Sequence, residues 1–184
     1  MSSKAIDRST TIDIAEPCAA WREALPRRRA LCRAAARAAL AAAPSGWVAP
    51  ETGAELSIVL GDDALLRRLN RQWRGKDKPT NVLAFPADEG ATRGAPSPGA
   101  APLLLGDVVL AFGTVAGEAA AQGKTLAGHL AHLVVHGVLH LLGFDHEEAA
   151  AALRMEALET TVLAGIGIAD PYRTSAPPLR VRHG

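Results

Sequence analysis

The chain has 184 residues, 48% hydrophobic, 21% charged and 4% aromatic, with a net charge of +1. That balance suits one globular domain built on Leu, Val and Ala, and excludes a disordered polar chain or a pair of domains. Cys18 and Cys32 make no disulfide framework, Asp7, Arg8, Asp13 and Glu16 interrupt any signal-like run, and no apolar stretch would span a bilayer, so the sequence reads as a cytosolic protein.

Residues 1–9 are polar and expected to be mobile. Residues 10–14 alternate in period two, the mark of a short strand. Pro26 suits the first turn of a helix through Leu31, Ala35 and Leu40 to about Ala43. Its arginines, Arg27, Arg28, Arg29, Arg33 and Arg37, are expected mainly on the wet side, and Pro44, Ser45 and Gly46 stop it. Residues 56–60 form a second strand ended by Gly61, and Asp62 is placed to cap a short helix that turns Leu65, Leu66 and Leu69 inward. The polar run 74–81 is a loop, residues 82–85 a third strand closed by Pro86, and residues 87–102 a flexible surface excursion. A fourth strand over 103–112 surrounds Gly106 and Asp107, and a helix over about 114–122 ends at Gly123. Thr125 is placed to cap a long helix reaching Leu142. Asp145 and Glu148 have the offset of a capping box for a last helix through Leu153, Leu158 and Leu163 to about Gly165, and residues 173–184 read as a loose tail. Four short strands and about five helices predict a single α+β domain over residues 1–184, its helices packed on a small sheet.

The chemistry concentrates at residues 136–146. His136 and His140 are four apart inside an apolar run, so on a helix they share a face and can share one metal. Gly143 is the residue type that ends a helix in the left-handed conformation, which turns the chain back and makes His146 a third ligand. Three imidazoles with a fourth position for water is the composition of a catalytic zinc site, one ion per chain, although nickel or copper also suits such a set. The spacing resembles that of the metzincin peptidases, H-E-x-x-H-x-x-G-x-x-H, at each ligand and at the glycine, which makes the helix zincin-like. It departs at Gly137, where the peptidase carries its glutamate base, and this argues against proteolysis. His129 and His132 fall on the same helical stripe. His132 and Asp145 are candidates to support the ligands, while His129 reads as lining a polar groove.

Three stretches together, residues 74–86 (RGKDKPTNVLAFP), Leu105-Gly106-Asp107 and residues 132–146 (HLVVHGVLHLLGFDH), resemble the YbeY family of bacterial rRNA maturation factors over about residues 54–172. Ala84, where the family commonly has Ser, and the insert near 90–101 depart from the pattern. The resemblance implies a cytoplasmic, zinc-dependent endoribonuclease specific for single-stranded RNA, acting in 16S rRNA maturation and ribosome quality control. It implies His136, His140 and His146 as zinc ligands and Arg74 as a functional arginine facing the metal. Arg67, Arg68, Arg71, Lys76 and Lys78 would then guide the strand by its phosphates. The charge distribution agrees: residues 1–80 carry 14 Lys and Arg against 9 Asp and Glu, and residues 81–184 carry 6 against 10. Two other readings compete. One is a non-catalytic zinc-containing assembly factor that binds rRNA or a ribosomal protein; the weaker one is a metallopeptidase.

Overall fold

Ile12 and Ile14 are buried while Thr11, Asp13 and Ala15 face outward, the pattern of a strand covered on one side. The computed structural model describes residues 10–43, 53–87, 101–144 and 148–173. In chain order these form β1 (Thr11–Ala15), α1 (Ala20–Ala24), α2 (Arg28–Ala41), β2 (Ala54–Gly61), α3 (Asp63–Arg74), β3 (Val82–Pro86), β4 (Leu103–Ala111), α4 (Phe112–Ala121), α5 (Leu126–Leu141) and α6 (Ala149–Gly165). The sheet order is β1-β2-β4-β3, with β1, β2 and β4 parallel and β3 antiparallel at the edge. This is the expected α+β architecture around four strands.

β4 is covered on both faces. Val108 and Leu110 enter the main core with Ile58 of β2, Ala35 and Ala39 of α2, and Val134 and Val138 of α5. Val109 and Ala111 point the other way, into a smaller cluster with Leu66 of α3 and Leu83 of β3. A strand buried on both sides reads as a continuous apolar run. Beside it, Gly106 pairs with Pro86 at a φ of 123°, and a Cβ there would stand 2.0 Å from the Phe85 carbonyl oxygen. Glycine therefore lets the edge strand close against β4.

Two expected caps are present: Asp62 Oδ1 accepts from the Leu65 amide at 2.8 Å, and Thr125 Oγ1 accepts from the Gly128 amide at 3.0 Å. Other local expectations fail. Helix α4 starts two residues early, straight off β4, because Asp63 of α3 accepts the Thr114 amide at 2.9 Å and the Thr114 hydroxyl. Arg28 is not on the wet side; it is buried and its guanidinium meets Glu16 at 2.6 and 2.9 Å. Helix α6 begins at Ala149 with Glu148 at its N-cap and no side-chain cap bond, and Asp145, the other member of the expected capping box, lies outside the described residues. Among the described residues six helices stand where about five were expected, since α1 is too short to show a period. Its purpose is visible in Trp21, fully buried, donating its indole N–H to the Gly61 carbonyl at 2.9 Å and meeting Phe112 in a T-shaped contact. Among the described residues no helix is long and apolar enough to cross a membrane. The insert at 88–100 and the tail from 174 also lie outside the described residues.

Candidate metal centre

Helix α5 packs against α2, α4, α6, β3 and β4, and buries Leu130, Ala131, Val134, Val135, Val138 and Leu139. Its remaining stripe carries His129, His132, His136 and His140. Gly137 faces β4 so closely that a Cβ would lie 2.6 Å from Val108 Cγ1 and 3.1 Å from Cγ2. The peptidase glutamate has no room at this position. At the far end the helix closes as expected: Gly143 takes a φ of 81°, its amide donates to the His140 carbonyl at 2.8 Å, and the Phe144 amide donates to the Leu139 carbonyl at 3.0 Å.

The histidines are organised by a carboxylate from α6. Glu159 is wholly buried. Its Oε1 lies 2.6 Å from His136 Nδ1, and its Oε2 lies 3.0 Å from His132 Nε2 and also accepts the Tyr172 hydroxyl. Burial pushes the Glu159 carboxyl up, but the hydrogen bonds from His132, His136 and Tyr172 outweigh it and bring the pKa down to about 2. Burial and then the bond to Glu159 push the Tyr172 phenol upward, so it stays a proton donor. An ionised carboxylate only accepts, so His136 presents a proton at Nδ1 and, in a neutral ring, a lone pair at Nε2. That Nε2 lies 3.1 Å from Nε2 of His140.

Further along the stripe, buried His129 meets Glu118 of α4 at 2.8 Å, and burial holds its imidazole below the ordinary 6.5 against the opposing pull of that carboxylate. Glu118 also accepts from Asn81 at 3.0 and 3.2 Å, which ties the loop before β3 to α5. A cavity of about 310 Å³ opens there, lined by Asn70, Arg74, Lys76, Lys78, Thr114 and Glu118 among others. Arg74 stands exposed at the end of α3 on its rim, as do Lys76 and Lys78. Arg68 and Arg71 are exposed on α3, whereas Arg67 is already held by Asp77 through two contacts of 2.8 and 2.9 Å.

The structure thus brings His136 and His140 together, while His146 and Asp145 lie outside the described residues. It also brings together a grouping that the spacing did not suggest, since ligand atoms of His132, His136 and Glu159 lie within 4.8 Å of one another. Glu159, one of the residues that carry the family resemblance together with Met155, Glu156, Asp170, Pro171 and Tyr172, was given no role by reading the residues, and Glu118 was missed. A signal for Glu159 existed: it is an acid on the buried stripe Met155, Glu159, Val162, Leu163, and a carboxylate in a core calls for partners.

Comparison with known proteins bears on this arrangement. Residues 27–167 match the family model described as endoribonuclease YbeY. The chain belongs to the YbeY endoribonuclease family. The match starts well before residue 54, so the YbeY-like region includes α2, which the motifs alone did not reach. A YbeY endoribonuclease of Paramagnetospirillum magneticum is 57% identical over 89% of this chain and 98% of its own. One from Azorhizobium caulinodans is 54% identical over 90% and 98%. A solution structure of a Thermotoga maritima protein is similar at a TM-score of 0.49 and 20% identity, covering 89% of this chain and 99% of its own.

Proposed function

We propose that this chain cleaves single-stranded RNA using a zinc ion held by His136, His140 and His146. The observation that carries the reading is the pair of Nε2 atoms 3.1 Å apart, one of them fixed as an acceptor by Glu159 behind it. Tetrahedral ligands about 2.05 Å from zinc are about 3.3 Å apart, close to the separation of that pair. The 2.6 Å between His136 Nδ1 and Glu159 Oε1 is too short for two ligands of one ion and is right for a charge-assisted hydrogen bond. Glu159 is therefore read as the acceptor that orients His136, with His132 and Tyr172 sharing its other oxygen, and not as a ligand.

Zinc in such a site polarises a phosphoryl oxygen and lowers the pKa of a bound water to about 7, so no glutamate at position 137 is required. The chain's own residues do the rest. Glu159 keeps the His136 ring from rotating and raises the basicity of Nε2. Arg74 holds the scissile phosphate or the charge that develops on it, with Lys76 and Lys78 beside it and Arg68 and Arg71 along α3. Arg67 contributes less, its charge being met by Asp77. The assignment to 16S rRNA ends, in ribosomal particles of the cytoplasm, rests on the resemblance of the three motifs to the YbeY family. The test is metal content with cleavage of single-stranded RNA before chelation, after it, and after zinc is restored. About one zinc per chain with cleavage lost and recovered is expected, and cleavage that persists in metal-free protein would end the proposal.

A further inference from the structure

Helix α2 lies outside the histidine site and carries an arrangement that its own stability does not explain. Arg27, Arg28 and Arg29 crowd its N-terminus, which has no acid in its first turn. Cations at this end oppose the helix dipole. Arg29, Arg33 and Arg37 then follow at steps of four, a spacing that sets like charges side by side. Glu16 meets Arg28 and, at 3.3 Å, Arg29. Among the described residues Arg27, Arg33 and Arg37 have no ion pair. A shallow groove of about 620 Å³ runs along this face, walled by all five arginines with Pro26 and two alanines. Local rules broken without a structural gain are expected where a surface binds something.

We propose that the arginine groove of α2 binds the phosphodiester backbone of an RNA strand, as an anchoring surface separate from the histidine site. The choice of RNA rests on the nuclease reading above and on the composition of the face. Successive arginines rise about 6 Å along the helix, which suits a row of anionic groups. Guanidinium forks pair with phosphate oxygens in two-bond geometry. Among the described residues the groove has no aromatic or long aliphatic side chain to anchor an acidic protein. Binding here is electrostatic and indifferent to sequence, so it raises the residence of a long strand without touching the bond that is cut.

The test uses the full zinc-loaded chain, a 2′-O-methyl RNA of about 30 nucleotides, and the triple variant Arg27→Gln, Arg33→Gln, Arg37→Gln. These side chains carry no ion pair among the described residues, so the fold is expected to be retained, which circular dichroism checks. Fluorescence anisotropy across a salt series gives the slope of log affinity against log salt. Loss of three single-strand phosphate contacts lowers that slope by about 2. Turnover of a saturating unmodified RNA is expected to stay unchanged while KM for long strands rises. Equal slopes in the variant and the wild type overturn the proposal, whether the face is then merely solvated or takes an acidic protein. The two readings fail separately: a wild type that never cleaves RNA but shows the slope difference sinks the nuclease and keeps the groove, and a cleaving wild type with equal slopes does the reverse.

Discussion

Glu159→Gln separates an orienting carboxylate from a metal ligand. Glutamine has the same shape but one carbonyl and one amide nitrogen. With the carbonyl turned to His136 Nδ1, the amide faces His132 Nε2 and the Tyr172 oxygen, and both can accept if His132 moves its proton to Nδ1. The packing of this fully buried residue is preserved, and what changes is the charge behind His136. Loss of such a partner weakens metal binding about 10- to 100-fold, or about 1.4–2.8 kcal/mol. The assay is competition for zinc against a chromophoric chelator, run beside His140→Ala, which removes a proposed ligand and is expected to cost far more. Two results would refute the reasoning. One is zinc affinity of Glu159→Gln within twofold of the wild type. The other is full zinc retention by His140→Ala with loss in Glu159→Gln, which would make His132, His136 and Glu159 the ligands.

Gly137→Ala puts a methyl 2.6 Å from Val108 Cγ1, so it should cost about 1–3 kcal/mol in urea unfolding, with much of that recovered by adding Val108→Ala. Asp63→Ala removes the acceptor that starts α4 and should cost about 0.5–2 kcal/mol, with faster amide exchange at Thr114. Glu16 is held below its ordinary 4.5 mainly by its bond to Arg28, so its stabilisation is complete above that value and lost as pH falls through the folded one. The stability difference between wild type and Glu16→Gln should therefore be flat from pH 6 to 8 and shrink below about pH 4; a difference that grows on acidification would show the sign to be wrong.

What was legible in the sequence was periodic or chemically specific. The alternation of Ile12 and Ile14, the apolar run of β4, Thr125 as a cap and Gly143 as a stop each follow from one residue type in one local pattern, and each is present. The pairing of His136 with His140 needed only helix geometry. What was not legible depends on residues distant in the chain. Asp63 caps a helix 51 residues on, Glu16 takes Arg28 out of water, and Glu159 reaches His136 across 23 positions. No local rule contains such partners. The steric reason for Gly137 was hidden in the same way, since it lies in Val108 of β4.

Glu159 joins three parts of the chain at one point: α5 through His132 and His136, α6 through its own backbone, and the turn at residues 170–172 through Tyr172. An ion held by His136 would therefore be coupled to the docking of segments that never touch it. By thermodynamic reciprocity, a metal bound at His136 would favour the closed Tyr172 contact by the same factor by which that contact favours the metal, and would lower the population of opened α6. Hydrogen exchange in α6 would then serve as a remote gauge of metal occupancy, and a truncation before Tyr172 would be felt first as a weaker metal site rather than as a missing tail.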